Sequence, residues 1–157
     1  MAIRFYVDAD LLGVAKMLVD VRSDVTYPGD PGGRGPDGFD RPACPIHPGA
    51  KDVDWIPLVA RAGWVVITRD RHIQHRPAER EALVTAGAKM VRLDAGHGLN
   101  KWQQLEIIVT QWRRFERLAE LPGPWLYRAT RTSLRKELLN DTRDGGATTI
   151  VQDLSVP

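Results

Sequence analysis

Apolar and polar positions along the chain form short blocks that predict strands and helices in alternation. Apolar runs typical of buried strands occur at residues 3–7, 64–68 and 89–93. Between these runs, apolar positions recur at three- and four-residue spacing, which predicts helices over residues 11–20, 54–62 and 77–86. A strand–helix alternation of this kind predicts an α/β fold with a central parallel sheet and helices on both of its faces.

Residues that start or stop helices support these boundaries. Asp52 or Asp54 is expected to cap the second helix, and Gly63 to end it. Pro77 suits the first turn of the third helix, where no backbone N–H is needed, and Gly87 ends that helix.

The second half of the chain predicts one long helix followed by short elements. The helix is expected over residues 99–121, with an apolar stripe formed by Trp102, Leu105, Val109, Trp112, Phe115 and Leu118. A strand is expected at residues 125–128, and residues 133–139 suit either a strand or a helix. A further short strand is expected at residues 24–27.

A segment rich in glycine and proline interrupts the pattern at residues 28–49. Six glycines and six prolines fill 12 of its 22 positions, a density that predicts a loop without helix or paired strand. We therefore expect one domain over residues 1–140 with this loop inserted, followed by a polar C-terminal tail at 141–157.

Composition restricts the class of protein. The 157 residues suit one domain, and no apolar run approaches the roughly 20 residues that cross a bilayer. The N-terminus lacks the pattern of a signal peptide. Because a single cysteine, Cys44, excludes an internal disulfide, we expect a cytoplasmic protein. The lack of a long apolar run predicts that it has no membrane partner.

Charge is distributed unevenly along the chain. Residues 1–60 hold nine acidic and six basic residues, whereas residues 101–140 hold eight basic and four acidic ones. Arginine supplies 17 of the 22 basic residues, and its planar group suits phosphate contacts. The arginines predicted to hold an RNA backbone are Arg113, Arg114, Arg117 and Arg131. Solvated helix faces are the alternative explanation of the same pattern.

Acidic residues follow the predicted strands. Asp8 and Asp10 come after the first strand and Asp70 after the strand at 64–68, while Asp94 follows the next strand and Asp52 begins a helix. Because the carboxyl ends of parallel strands meet at one edge of a sheet, these carboxylates are expected to converge and to need a cation. Mg²⁺ or Mn²⁺ prefers such oxygen ligands and activates water for attack on a phosphodiester. The alternative is that each acid only caps the helix after it.

The same residues carry a resemblance to a known family. The segments Arg4–Asp8, Asp52–Pro57 and Gly63–Asp70 resemble a PIN-like domain, most closely the VapC45-type PIN-like proteins, and the likeness runs from about residue 3 to about residue 140. It implies a Rossmann-like sheet and a metal-dependent endoribonuclease, often the toxin of a toxin–antitoxin pair. It further implies RNA and an antitoxin protein as partners. A homodimer is a further expectation, since a wide apolar stripe on the long helix suits a dimer or antitoxin groove.

Family roles transfer to matching positions of this chain. Asp8, Asp52 and Asp70 match the acids that bind Mg²⁺ or Mn²⁺, with Asp54 as a rival for the role of Asp52. The residues with expected supporting roles are Asp10, Asp54, Thr68, Arg69, Arg71 and Asp94. Many PIN-type domains carry another acid just beyond the third, whereas residues 70–72 here read Asp-Arg-His. This departure favours one bound ion and leaves open an inactive module that binds nucleic acid or a partner protein.

Other chemistries fit fewer residues. Asp8-x-Asp10 followed by Thr68 is similar to haloacid dehalogenase-type phosphatases. That class also needs a downstream lysine at the end of a strand, whereas Lys89 begins a strand. A receiver domain would need a lysine at the end of its last strand, and this chain has none at that position. Cys44-x-x-His47 has zinc-like spacing without a second tight pair. Three tryptophans are candidates to stack on RNA bases: Trp102, Trp112 and Trp125. Helical spacing favours a core position for Trp102 and Trp112.

Overall fold

A computed structural model describes residues 2–139, and the predicted tail at 141–157 lies outside this range. Within it the elements follow one another as β1 (Phe5–Val7), a 3-10 turn (Ala9–Leu11), α1 (Leu12–Val19), β2 (Val25–Thr26), β3 (Gly33–Arg34), β4 (Asp40–Arg41), α2 (Asp52–Ala62), β5 (Val65–Thr68), α3 (Pro77–Ala86), β6 (Lys89–Leu93), α4 (Lys101–Ala119), β7 (Trp125–Ala129) and β8 (Leu134–Glu137). The predicted alternation of strands and helices is therefore present.

Six strands form one mixed sheet in the order β2-β1-β5-β6-β7-β8. The first five run parallel, and β8 pairs antiparallel with β7 at one edge. The predicted α/β fold is confirmed, with this antiparallel strand as the exception to a parallel sheet. The reversal arises because Thr130 and Ser133 close a tight turn, in which the Thr130 N–H donates to the Ser133 carbonyl at 2.9 Å.

Helices cover both faces of the sheet. Side chains of a strand point alternately to the two faces, so Phe5 and Val7 face α1 and α4, whereas Tyr6 faces the core under α2. The strand β1, second from one edge of the sheet, pairs with β2 on one side and with β5 on the other. Since α1 and α2 cover opposite faces, the chain changes direction between β1 and β5, and a crevice opens at their carboxyl ends.

The helix α4 turns part of the predicted apolar stripe to the core: Trp112, Phe115 and Leu118 are buried, and Leu105 packs against the core. Trp102 is 72% exposed and Val109 is 63% exposed, so the stripe prediction is wrong at these two positions. Two glutamines take core-facing positions instead, because their amides find buried partners. Gln104 donates to the Leu99 carbonyl at 3.0 Å, and Gln111 donates to the Thr130 carbonyl at 2.9 Å.

The segment at 28–49 is a loop that contains a small hairpin, so the prediction of no paired strand is wrong. Gly33–Arg34 and Asp40–Arg41 pair antiparallel. Asp30 and Arg41 form a buried ion pair, and Arg41 also donates to the Val25 carbonyl at 2.7 Å. Ile46 from the same segment packs into the core under α2. Buried contacts of this kind hold the segment against the sheet.

The start of α2 also differs from the prediction. Lys51 occupies the cap position, whereas Asp52 and Asp54 lie in the first turn and neither caps the helix. An acid in the first turn still suits the positive end of the helix dipole. Gly63 ends α2 and Gly87 ends α3, both with positive φ, as predicted. Within residues 2–139, no helix has the length and apolar character that crossing a membrane requires.

Candidate active site

An open cavity of about 680 Å³ lies at the carboxyl ends of β1 and β5, where the chain changes direction. We call it the acidic cavity. Its lining residues are Asp8, Ala9, Asp10, Asp52, Arg69, Asp70, Arg71, His72, Leu93, Gly98 and Leu99. The sequence placed converging carboxylates at this edge of the sheet, and four of them line the cavity. Volume and polarity suit a polar, charged ligand.

One side of the acidic cavity is organised by the buried hydroxyl of Thr68. This hydroxyl lies 3.0 Å from Asp8 Oδ2 and 3.3 Å from Asp10 Oδ2, so it donates to one carboxylate or the other. It also accepts from the Asp70 N–H at 3.2 Å. Asp8 Oδ1 accepts from the Ala9 N–H at 2.7 Å. Thr68 at the end of β5 therefore connects the acids that follow β1 with the acid that follows β5.

The carboxylates of this side are held at an electrostatic cost. Burial raises the pKa of Asp8, against the opposing effect of hydrogen bonds from Ala9 and Thr68. Burial and the neighbouring Asp8 charge together raise the pKa of Asp10 to about 7. Asp10 Oδ1 is buried without a hydrogen-bond partner. A carboxylate with an unsatisfied oxygen and a raised pKa is a group that a cation would stabilise.

Two other acids of the acidic cavity, Asp52 and Asp70, contact a cation of the protein itself, Arg76. Arg76 Nη1 lies 2.9 Å from Asp70 Oδ2, 3.7 Å from Asp52 Oδ2 and 3.9 Å from Glu79 Oε1. Asp52 Oδ1 accepts from the indole N–H of Trp55 at 3.0 Å. Burial raises the pKa of Asp52, and the charge of Asp70 adds to this effect.

The supporting candidates lie in several places. Thr68, Asp10, Arg69 and Arg71 belong to the acidic cavity or bond to its acids. Asp54 is exposed and does not line it. Asp94 lies in the next cavity, where the Gly96 N–H and nearby arginines lower its pKa. The arginines beside Asp94 are Arg71, Arg92 and Arg128.

The arginines predicted to contact RNA are spread widely over the molecule. Helix α4 begins beside the acidic cavity and runs away from it, which places Arg113 about 18 Å and Arg117 about 24 Å further along the axis. Arg114 donates to Gln111 at 3.3 Å. Arg131 lies after β7, 66% exposed, and pairs with Glu106 at 3.1 Å. Of these, Arg131 is at the same sheet edge as the acidic cavity, and Arg69 and Arg71 are closer.

Sequence reasoning missed Arg76 as a partner of the acids. Arg76 directly precedes Pro77 and is brought back toward Asp70 by the turn at residues 71–75, in which Ile73 is fully buried. The sequence feature that pointed to this contact was a basic residue directly before α3. The three tryptophans that the sequence suggested for RNA stacking differ in exposure: Trp112 and Trp125 are buried, whereas Trp102 is exposed.

The donor chemistry of the acidic cavity fits a hard divalent cation. Among residues 2–139, no three histidine, cysteine or acidic side chains are grouped closely enough to hold an ion as they stand. Mg²⁺, however, keeps several waters and is often bound through one or two protein carboxylates. Asp8 and Asp10, which share the Thr68 hydroxyl and include an unsatisfied oxygen, provide two such ligands.

The raised pKa of Asp10 gives the first testable expectation. The folded state holds the Asp10 proton more tightly than the unfolded state, so the contribution of Asp10 to stability is fully present below about pH 4 and is lost as pH rises to about 7. The shift from 3.8 to about 7 corresponds to at most about 4 kcal/mol. Partial exposure lowers the expected effect to about 1–2 kcal/mol. Urea unfolding without added metal should therefore show Asp10→Asn to be more stable than wild type at pH 8.

The control for this measurement is Asp20→Asn, because Asp20 is exposed at the end of α1. Its stability should follow that of wild type at every pH. The gap between Asp10→Asn and wild type should close near pH 4, and a gap independent of pH would contradict the assigned cause.

Fold and cavity together are consistent with one class of protein. A mixed sheet of six mostly parallel strands with four helices, and acids at the carboxyl ends of its central strands, is consistent with an α/β PIN-like fold. A protein-family model described as a PIN like domain matches residues 36–95, a stretch that includes Asp52 and Asp70. This match supports a PIN-like domain. Comparisons with curated proteins and with solved structures returned no significant match.

Proteins of the matched family are generally nucleases and typically use divalent metals. The matched stretch begins after β1 and does not include Asp8 or Asp10. The pairing of β1 with β5 places these two acids beside Thr68.

Proposed function

We propose that the protein is a metal-dependent endoribonuclease that hydrolyses RNA phosphodiester bonds with Mg²⁺ or Mn²⁺. The observation that supports this proposal is the convergence of four carboxylates in one open cavity at the carboxyl ends of β1 and β5. Buried, mutually repelling acids destabilise the fold, and a cluster of such acids in an open cavity is typical of a functional site.

Each residue of the acidic cavity has a proposed part. Asp8 and Asp10 would hold the ion, and Asp52 and Asp70 would complete its surroundings. When bound, a divalent ion lowers the pKa of a water and offsets negative charge on the phosphate. Thr68 fixes the orientation of Asp8 and Asp10 through its hydroxyl.

Two exposed arginines at the cavity wall suit the substrate. Arg69 and Arg71 line the acidic cavity next to Asp70, and a guanidinium forms paired hydrogen bonds with phosphate oxygens. During hydrolysis, a water oxygen bonds to phosphorus and the bond from phosphorus to the leaving ribose oxygen breaks. The proposed role of the arginines is to hold the phosphate against the carboxylates until that bond breaks.

Cleavage of a labelled structured RNA tests the proposal. Wild type should cleave with Mn²⁺ and lose cleavage in EDTA, and Asp70→Asn should cleave at least about tenfold more slowly. Asp20→Asn, prepared in the same way, should match wild type. Equal cleavage by wild type and Asp70→Asn would point to a contaminating nuclease and contradict the assignment.

A toxin role within a toxin–antitoxin pair is part of the proposal and is supported by the resemblance to VapC45-type PIN-like proteins. Expression in a bacterial host should slow growth, and co-expression of a small open reading frame adjoining the gene should restore it. Growth unaffected by an RNA-cleaving wild type would contradict the toxin role but not the nuclease assignment.

One observation favours a second candidate, a PIN-like module that binds RNA or protein without cleaving. Residues 70–72 lack the additional acid of many PIN-type domains, and Arg76 already pairs with Asp70 at 2.9 Å. Binding of the same RNA without cleavage, in Mn²⁺ and in EDTA alike, would favour this candidate.

A further inference from the structure

The position of Arg76 divides the acids of the cavity into two groups. Asp70, Asp52 and Glu79 all lie within 3.9 Å of one guanidinium nitrogen, Arg76 Nη1. Asp8 and Asp10, by contrast, contact a hydroxyl and backbone N–H groups. One group of acids therefore has a built-in cation, and among residues 2–139 no side-chain cation contacts the other group.

Local structure holds Arg76 in this place. Its N–H donates to the His72 carbonyl at 3.1 Å, and its own carbonyl accepts from the Arg80 N–H at 2.9 Å as α3 begins. Pro77 follows at the first helical position and restricts the backbone there. Ile73, fully buried, anchors the turn between Asp70 and Arg76.

A guanidinium can replace one divalent ion but does not reproduce its chemistry. It supplies a single delocalised charge that stays protonated at all working pH values, and it cannot bind and activate water as a metal does. In two-metal sites, the ions lie roughly 3.5–4 Å apart and share carboxylates. Here Arg76 Nη1 lies within 3.7 Å of a carboxylate oxygen of both Asp52 and Asp70, the two acids that a second ion would share.

We propose that Arg76 takes the place of a second metal ion, so that the acidic cavity holds one divalent cation, bound on the side of Asp8 and Asp10. This inference rests on the proposed function, because it assumes that the cavity binds such a cation. It explains why the chain lacks a further acid after Asp70: the charge of Arg76 already balances Asp70 and Asp52.

The number of bound Mn²⁺ ions tests the inference without any assay of cleavage. Electron paramagnetic resonance of free Mn²⁺, titrated against the full chain at pH 7.5, should give one ion per wild-type molecule. Arg76→Gln should give two, because it frees Asp52 and Asp70. Arg76→Gln combined with Asp70→Asn should return to one.

Two controls separate charge from folding. Arg76→Lys keeps the positive charge at the same position and should bind one ion. Arg61→Gln removes an exposed arginine of α2 outside the acidic cavity and should also bind one. Circular dichroism on each variant verifies the fold. If Arg76→Gln fails to fold, Arg76→Lys provides the test, because two ions bound to Arg76→Lys would overturn the inference.

The possible failures are distinguishable. One ion in folded Arg76→Gln, or two in wild type, would overturn the role of Arg76 and leave the proposed function standing. Wild type that binds no Mn²⁺ up to millimolar concentration would overturn both. Two ions in Arg76→Gln and one in wild type support the inference whatever the rate of RNA cleavage.

Discussion

Asp8→Asn is expected to lower the rate of RNA cleavage by about 100-fold or more, because it removes the charge of a proposed ion ligand. Loss of a group that merely orients a ligand typically costs 10–100-fold, so loss of a ligand should reach at least the upper end. Single-turnover cleavage with saturating Mn²⁺ measures the effect.

The same replacement should leave the fold intact and slightly more stable at pH 8. Burial raises the pKa of Asp8, so ionised Asp8 destabilises the folded state once pH exceeds that value. An asparagine still accepts from the Ala9 N–H, and its amide can donate to Thr68, whose hydroxyl then donates to Asp10. A higher urea midpoint than that of wild type is expected at pH 8.

Activity and stability must therefore move in opposite directions for Asp8→Asn. A variant that lost activity because it unfolded would show a large fall in urea midpoint instead. Cleavage within twofold of wild type by a folded Asp8→Asn would remove Asp8 from the proposed machinery.

Asp30→Asn is expected to destabilise the protein by about 3–5 kcal/mol, because it leaves a buried guanidinium without its partner. The side chains of Asp30 and Arg41 are 1% and 6% exposed. Asp30 also accepts from the Gly32 N–H at 2.9 Å and from Thr26 at 3.1 Å. Urea unfolding at neutral pH should show a lower midpoint.

Asp40→Asn is the matched control, since Asp40 is exposed and lies in the same hairpin next to Arg41. It should change stability by less than about 0.5 kcal/mol. Asp30→Asn combined with Arg41→Met should recover part of the loss, because the unpaired charge is gone. Equal effects of the Asp30 and Asp40 replacements would show that the pair does not hold the loop.

The parts of the fold that sequence predicted well are those governed by local periodicity. Continuous apolar runs identified β5 and β6, and the acids after the strands gave Asp8 and Asp70 their place at one edge. Neither inference needed tertiary information, because parallel strands bring their carboxyl ends together. Whether Asp8, Asp52 and Asp70 bind metal stays a prediction.

The errors arose where distant partners decide a residue's environment. Gln104 and Gln111 face the core only because the carbonyls of Leu99 and Thr130 meet their amides, and no local pattern contains that information. The hairpin at 33–41 depends on a buried ion pair within a segment whose composition predicted only loop. Arg76 reaches the acids through a turn whose path the sequence does not specify.

The hydrogen bond from Arg41 to the Val25 carbonyl also affects how the sheet can associate. Val25 belongs to β2, the outermost strand on that side, and an exposed strand edge invites pairing with another chain. Arg41 occupies the acceptor that an incoming strand would need, and β2 is only two residues long. A second copy of the chain could not continue the sheet past β2 without displacing Arg41 from the Val25 carbonyl, so we expect edge-to-edge aggregation on this side to be suppressed.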